Sequence, residues 1–516
     1  MEKIKRAIIS VHDKTGIVDL AGYLVEQGVQ IISSGGTQKA LESAGIKTEK
    51  VSEITGFPEI LNGRVKTLHP IIFAGILAKR ESGHLGELEK QNIDPIDLIV
   101  VNLYPFEQTI ARPDCTFEEA VENIDIGGPS LIRAAAKNLA WTTVITNPDQ
   151  YQGLISEMNS HQGNTTEEFR RVCAIRAFEH TARYNALIGH YLQSGGKEIQ
   201  DLSEEFTLAG KKISDLRYGE NPHQRAAYYS FSTTKPLKNF EQLHGKDLSY
   251  NNLMDLDAAL SIVSDFDENF VVILKHTNPC GAARGESIEE AYTLALDTDS
   301  LSAFGGIVGL TKTVDGQLAR KMSGHFFECI LAPSFTDEAL TILTKKKNLR
   351  LLTFQPEVSD TWSYQVRTIN GGFLVQGQDK GRTEVRKARV VSKRQPTDQE
   401  WQAMAFAWKL VKHVHSNAII YTTDKQLIGV GAGQMSRVDA AELAVKKAEQ
   451  ARHSTHGTVC ASDAFFPFKD GIEALAAAGI TAVIQPGGSI RDEEVIQSAD
   501  EHQLTMVFTA MRHFKH

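Results

Sequence analysis

Short apolar runs alternate along this chain with segments whose apolar residues recur at helical spacing. Residues 7–11 (AIISV) are too few for a buried helix and the right number for a strand. His12, Asp13 and Lys14 interrupt the run. Ile17, Leu20, Ala21, Leu24 and Val25 then fall on one helical face, and Gly28 stands where that helix should stop. Residues 29–32 predict a second strand, and Ser33-Ser34-Gly35-Gly36-Thr37 leads into a second helix. DLIVVNL (97–103) and TTVIT (142–146) predict further buried strands. Such alternation implies a parallel sheet covered on both faces. A long helix is expected over 167–192, with Phe169, Val172 and Arg176 on its apolar stripe. The polar stretch SGGKEIQDLSEEF that follows predicts a domain boundary at 200/201.

The alternation then resumes. Residues 270–274 (FVVIL), 307–310, 349–354, 418–421, 481–485 and 505–509 predict strands, and helices are expected through Trp401 and Leu410 and over 438–451. The Pro-marked segment VSKRQPTDQE divides this region into two stretches, about 201–385 and 386–516, that read as related α/β subdomains.

Composition narrows the class. The chain has 516 residues, 41% hydrophobic and 23% charged, enough for several buried cores. Its 55 Lys and Arg against 64 Asp and Glu give a net charge of -9. That balance does not favour general nucleic-acid binding, so an anion site has to be built locally. The five cysteines include no CxxC pair and read as reduced thiols. No apolar run approaches membrane-spanning length, and MEKIKRAIISVHDK lacks the apolar stretch of a secretory leader, so a cytoplasmic enzyme or binding protein is expected.

Several polar clusters interrupt the pattern at strand ends. In SSGGT (33–37), backbone N–H groups with the Ser34 and Thr37 hydroxyls suit a phosphate at the positive end of a helix; a plain turn fits the same residues. GRVKTLHP (63–70) gathers Arg64, Lys66 and Thr67, as an anion site or as a solvated basic loop. Tyr104 in NLYPF follows an apolar strand, as a ligand contact or a core aromatic. NIDIGGPS (123–130) places Asp125 before two glycines and a helix start, with Arg133 and Lys137 four apart beyond it. RYGENPHQ (217–224) is too polar for a strand core and reads as a site loop. KHTNPCG (275–281) sets an ammonium, Lys275, beside an imidazole, His276: a general base with an oxyanion stabiliser, or a solvated lysine and a turn histidine. SAFGG (302–306), HSNA (415–418), GAGQMSR (431–437) and SDAFFPF (462–468) are further loop clusters. A zinc-deaminase signature needs Pro-Cys-x-x-Cys, and Pro279-Cys280 here is followed by Gly281-Ala282-Ala283, so no catalytic metal is expected.

Taken in order, SVHDKTG, SSGGT, GRVKTLHP, NLYPF, NIDIGGPS, RYGENPHQ, KHTNPCG, GAGQMSR and SDAFFPF resemble the bifunctional phosphoribosylaminoimidazolecarboxamide (AICAR) formyltransferase/IMP cyclohydrolase family along nearly the whole chain. The resemblance implies a methylglyoxal-synthase-like parallel-sheet domain over 1–200 and two cytidine-deaminase-like α/β subdomains without zinc over 201–516. It implies formyl transfer from 10-formyltetrahydrofolate to AICAR, giving FAICAR, and then cyclisation with loss of water to IMP. For the cyclohydrolase it points to Lys66, Tyr104, Asp125 and Lys137 as catalytic. His12, Asp13, Lys14, Ser34, Gly35, Gly36, Thr37, Arg64, Val65, Thr67, Val101, Asn102 and Ile126 are then its nucleotide contacts. For the transformylase, Lys275 matches the transition-state stabiliser and His276 the general base. Ribonucleotide contacts match Arg217, Tyr218, Gly305, Glu328, Asn417, Arg437, Phe465 and Arg512, and folate contacts match Val438, Asp470, Ser489 and Ile490. A homodimer sharing the transformylase site between subunits is also implied, and some members carry a structural potassium ion. Three alternatives compete with this reading. A nucleotide sensor is opposed by the complete catalytic set, a zinc deaminase by the missing ligands, and a one-activity enzyme by the absence of a broken motif in either half.

Overall fold

The structure, a computed structural model, describes residues 3–195, 202–231, 240–355 and 364–516. The predicted division at 200/201 lies outside the described residues. The chain packs as two compact units, Met1–Lys211 with Phe231–Thr234, and Lys212–Ser230 with Lys235–His516.

In the first unit, β1 (Arg6–Val11), β2 (Gln30–Ser33), β3 (Glu49–Lys50), β4 (Leu98–Asn102) and β5 (Thr143–Ile145) form an all-parallel sheet in the order β3-β2-β1-β4-β5. Ile8 pairs with Ile32 on one side and Ile99 on the other, and all three are fully buried. Burial on both faces is why these strands read as unbroken apolar runs. The helix Ile17–Glu26 buries Ile17, Leu20, Ala21 and Leu24 but leaves Val25 in solvent. Gly28 follows in the left-handed region at φ 79°.

The helix Glu167–Ser194 corrects the expected stripe. Val172 and Arg176 are exposed, whereas Arg170, Cys173, Ala174, Ala177, Thr181 and Tyr184 are buried. Small side chains at 173, 174 and 177 let it lie against the helix Gly127–Lys137. Arg170 tolerates burial because its guanidinium donates to the Leu139 carbonyl at 2.8 Å and to the Thr165 carbonyl.

In the second unit, a ribbon of β6 (Lys211–Leu216) and β7 (Ala226–Ser230) precedes a six-stranded sheet. That sheet contains β8 (Glu241–His244), β9 (Phe270–Lys275), β10 (Asn278–Arg284), β11 (Gly306–Leu310), β12 (Phe327–Ala332) and β13 (Arg350–Thr353), ordered β10-β9-β11-β12-β13-β8. A second ribbon, β14 (Tyr364–Ile369) with β15 (Gly372–Gly377), is followed by another six-stranded sheet. This one contains β16 (Arg389–Val390), β17 (Ile419–Thr422), β18 (Leu427–Gly431), β19 (Val459–Ser462), β20 (Ala482–Gln485) and β21 (Thr505–Phe508), ordered β18-β17-β19-β20-β21-β16.

The two sheets repeat one pattern strand for strand. Each has an antiparallel hairpin at one edge, three mutually parallel strands inside, and an antiparallel strand at the far edge. Matching glycines mark the repeat. A Cβ on Gly281 of β10 would stand 2.0 Å from the Ala295 carbonyl oxygen, and one on Gly431 of β18 would stand 1.9 Å from that of Ala440. One core joins the repeats, drawing Leu256, Ile262 and Leu274 from the first and Phe406, Leu410 and Ile420 from the second. No helix among the described residues is long and apolar enough to cross a membrane.

Candidate active sites

In the first unit, the connections after β1 and β4 leave the sheet in opposite directions, and the crevice at their carboxyl ends is where an open parallel sheet takes a ligand. A cavity of about 660 Å3 lies there. It gathers His12 and Lys14 after β1, Ser34, Gly36 and Thr37 after β2, Val101, Asn102 and Tyr104 at the end of β4, Arg64, Lys66 and Thr67, and Asp125 and Ile126. Asp13, Gly35 and Val65 belong to the same turns without lining it; the Asp13 carboxylate instead accepts from the Thr15 N–H at 2.9 Å. Lys137 is not brought to the cavity. It is the exposed last residue of the helix Gly127–Lys137, about 15 Å along the axis from the first turn that lines the wall.

The SSGGT turn has the makings of an anion site. Gly35 takes φ 58° at the start of the helix Gly35–Ser43, whose first N–H groups have no helical partner. Added Cβ atoms on Gly35 and Gly36 would lie 3.5 Å from the Lys66 ammonium and 3.9 Å from that of Lys14. The Ser34 hydroxyl is buried without a hydrogen-bond partner, a polar group left over for a ligand. Thr37 departs from the expected role: its hydroxyl accepts from the Val11 N–H (3.0 Å) and donates to the Val11 carbonyl (2.9 Å), so it fastens the turn to β1. Asn102 does the same for the 12–14 loop, accepting from the His12 and Asp13 N–H groups and donating to the Asp13 carbonyl. Tyr104, 40% exposed, meets the His12 ring edge-on at 5.7 Å and is therefore not a core aromatic.

Asp125 is held from two directions. Its Oδ1 accepts the Gly128 N–H at 2.8 Å, and a Cβ on Gly128 would lie 2.5 Å from its Oδ2. Its own N–H donates to the Tyr184 hydroxyl at 2.8 Å, which in turn donates to the Asn123 carbonyl at 3.3 Å. Burial pushes the Asp125 carboxyl above the ordinary carboxylate range, against backbone N–H groups and the Lys66 ammonium, which pull it down. Burial likewise pushes the Tyr184 phenol up to about 12. Tyr184 escapes sequence reasoning because it acts from a helix 59 residues away. Glu122, also unforeseen, lines the cavity and pairs with the Arg64 guanidinium; only its place before NIDIGGPS could have drawn attention to it.

In the second unit the two repeats contribute opposite edges of their sheets. From the first repeat come Lys275-His276 at the end of β9, Gly305 before β11 and Glu328 at the start of β12. From the second come Asn417 before β17 and the turns that follow β18, β19, β20 and β21, carrying Arg437 and Val438, Phe465 and Asp470, Ser489 and Ile490, and Arg512. The Lys275 ammonium donates to the Phe304 (2.9 Å) and Gly305 (3.2 Å) carbonyls. Gly305 takes φ 67° and leaves room for that ammonium, which would be 3.2 Å from an added Cβ. Glu328 accepts from Asn252 at 3.0 Å and from Arg350 at 3.4 Å. Asp255 is raised by burial, opposed by the Thr277 N–H and by the His276 and Lys275 charges.

Opposite them, Arg437 donates to Asn417 and to Asp463, the latter at 2.9 Å. Asp463 is fully buried, and burial raises its carboxyl despite the Ser416 hydroxyl and Arg437. Thr277 and Asn278 of the first repeat meet His415 of the second, at 3.0 Å in each case. The loop with Arg217 and Tyr218, where the guanidinium lies over the phenol ring at 5.3 Å, reaches the start of the helix Tyr250–Val263 through Asn251 and the Glu220 carbonyl. Phe465 is half-buried, Asp470 is exposed at the start of the helix Asp470–Ala477, and the Arg512 guanidinium lies over Phe514 at 4.7 Å. Sequence reasoning left Asp255 and Asp463 unassigned, the first for want of any motif around it and the second because SDAFFPF drew attention to its aromatics. Among the described residues, no group of three or more His, Cys, Asp or Glu side chains is placed to hold a metal ion.

The model of the AICARFT/IMPCHase bienzyme family matches residues 135–447, and that of the MGS-like domain matches residues 16–130. The chain is 51% identical over 515 residues to the bifunctional purine biosynthesis protein PurH of Halalkalibacterium halodurans, covering 99% of this chain and 100% of that one. It is 50% identical over 516 residues to the protein of the same name from Bacillus mycoides, with the same coverage. A solved structure, the crystal structure of ForH, is 32% identical over 36% of this chain and 97% of its own, with a TM-score of 0.33.

Proposed function

The chain belongs to the AICARFT/IMPCHase bienzyme family, and from that premise we propose how its two units divide the work. It is a bifunctional purine-biosynthesis enzyme, a formyltransferase that takes its one-carbon group from a formyl folate and a cyclohydrolase that closes the product to IMP. The second unit transfers the formyl group of 10-formyltetrahydrofolate to the 5-amino group of AICAR, and the first unit cyclises FAICAR. The observation that carries this assignment is the Lys275-His276 turn set against Asn417, Arg437 and Asp463 of the other repeat.

The AICAR amine is delocalised into its imidazole and carboxamide, so it attacks the formyl carbon only as a proton leaves. His276 is the base that takes this proton, and the Lys275 ammonium stabilises the oxyanion formed on the formyl oxygen. Arg217, Tyr218, Gly305, Glu328, Asn417, Arg437, Phe465 and Arg512 hold the ribonucleotide. Val438, Asp470, Ser489 and Ile490 hold the folate at the carboxyl edge of the second repeat.

In the first unit, the SSGGT helix start with Lys14 and Lys66 holds the phosphate. The carboxamide nitrogen and the formyl carbon already belong to one molecule, so positioning supplies much of the acceleration. Lys66 and Tyr104 stabilise the developing alkoxide, and Asp125 orients the amide N–H. Lys137 reaches this chemistry only if its end of the helix moves, and Lys66 is the better placed cation.

The second site is completed in a homodimer. Ile490 (105% exposed), Met435 (96%) and Leu301 (86%) leave large apolar side chains in solvent around it, which supports a second subunit covering that face. The protein works in the cytoplasm.

The test supplies purified protein with AICAR and 10-formyltetrahydrofolate, following tetrahydrofolate release and IMP separately. Both signals are expected. His276→Ala abolishes the first while leaving cyclisation of supplied FAICAR intact, and Lys66→Ala lets FAICAR accumulate. A well-folded variant that loses both activities overturns the division.

A further inference from the structure

The turn that carries His276 is built differently from its counterpart in the second repeat. Both repeats join their first two antiparallel strands by a tight hairpin. Between β17 and β18 none of the residues 423–426 has a positive φ, whereas between β9 and β10 both His276 (φ 51°) and Thr277 (φ 62°) are left-handed. A two-residue turn of this kind ordinarily uses Asn-Gly, and a β-branched residue in it is strained. The second repeat closes its hairpin with the longer loop 423–426 and needs no left-handed residue, so the two-residue turn at 276–277, and the strain that goes with it, belong to this hairpin alone. Strain of this sort persists where the surroundings over-determine it.

Those surroundings form a closed ring of hydrogen bonds. The Thr277 hydroxyl donates to the His276 carbonyl at 2.7 Å. Its proton is thereby committed, so the contact of 3.0 Å between Thr277 Oγ1 and His415 Nε2 is donated by the histidine. Burial and the nearby Lys515 ammonium hold His415 below the usual imidazole range, leaving a neutral ring with one N–H to give. The His415 backbone N–H donates to Asn278 Oδ1 at 3.0 Å, and Asn278 Nδ2 donates back to the His276 carbonyl at 3.3 Å. From the other side, Asp255 of the helix Tyr250–Val263 accepts the Thr277 N–H at 2.7 Å.

We propose that Thr277, clamped by His415 from the second repeat and Asp255 from the first, is the positioning residue that fixes His276 for proton removal in formyl transfer. This rests on His276 being the base. The bonds they make run to the turn itself, so they act through the backbone of His276. The second repeat, whose own hairpin carries no such strain, supplies the clamp on the hairpin that does.

The experiment compares Thr277→Val, Thr277→Ser, Thr277→Gly, His415→Ala and His276→Ala in the full-length enzyme. It measures kcat and KM for formyl transfer, cyclisation of supplied FAICAR, and Tm. Thr277→Val is expected to lower the formyl-transfer kcat by about 10- to 100-fold with KM for AICAR within about threefold, the size of effect that slight misplacement of a reacting group produces. Cyclisation stays unchanged. Thr277→Ser, which keeps the hydroxyl, restores most of kcat. Thr277→Gly relieves the left-handed cost, so its Tm equals or exceeds that of the parent while kcat stays low. His415→Ala, which leaves the turn's own residues in place, gives the same split and stands in if Thr277→Val does not fold. The proposal is overturned if Thr277→Val or Thr277→Gly keeps a kcat within about threefold of the parent, or if Thr277→Ser falls as far as Thr277→Val. If His276→Ala itself retains formyl transfer, the assignment of the base fails instead.

Discussion

Asp125 sits where its charge is opposed. Burial raises its carboxyl pKa in the folded protein above the unfolded value. A raised acid stabilises the fold only below its ordinary pKa, and that contribution is lost as pH rises through the folded value. Asp125→Asn, which can still accept the Gly128 N–H, is therefore expected to raise Tm near pH 7 by a few degrees while abolishing cyclisation. The gain should shrink near pH 4, and thermal melts at the two pH values check it. Tyr184→Phe should do the opposite. It leaves the Asp125 N–H and the Asn123 carbonyl without their hydroxyl, costing about 1–2 kcal/mol in urea unfolding. It should also cut the cyclisation kcat by about tenfold, with formyl transfer as the unaffected internal control. The two residues differ in legibility. Asp125 and Ser34 stand beside glycines at helix starts, a local pattern of adjacent residues, and Lys66 stands in the equally local GRVKTLHP cluster. Tyr184 is one tyrosine on a long helix, and only the packing of that helix brings its hydroxyl to the turn.

At the level of elements, continuous apolar strands such as β1, β4 and β9 are readable because burial on both faces leaves no polar position to confuse the pattern. β10 and β18 are not. Asn278–Arg284 has no β-branched residue, and Leu427–Gly431 carries two glycines, because each strand lies against the backbone of the helix that follows. Small side chains permit that approach and erase the apolar signature of a strand. Gly281→Ala forces the new methyl group into the Ala295 carbonyl, a clash with backbone that no side-chain rotation relieves. A loss of about 1–3 kcal/mol is expected in chemical denaturation, and an unchanged midpoint would show that the hairpin can lift from the helix freely. The long helix Glu167–Ser194 misleads for a related reason. Its buried face is lined by Ala, Cys and a paired Arg, while Val172, Ile175 and Phe178 stay outside, so apolar size there does not track burial.

At the scale of the whole molecule, what recurs between the two stretches is strand order and the glycine contacts rather than residue identity, which is why the sequence shows no obvious internal repetition. The apolar side chains around the second site belong to this scale too. Leu301→Asp is expected to shift sedimentation from dimer towards monomer and to depress formyl transfer, with cyclisation spared. Retention of both dimer and activity would remove Leu301 from the proposed interface. The common core of the two repeats has a consequence during synthesis. The helix Tyr250–Val263 leaves the ribosome about 130 residues ahead of the helix Asp398–Val411, which closes the same core, and on the order of 10 s of translation separates them. Throughout that interval the nascent first repeat displays Leu256, Ile262 and their neighbours to solvent. The enzyme is thus most vulnerable to aggregation before its last quarter has been made, and slowing translation there should increase its dependence on chaperones.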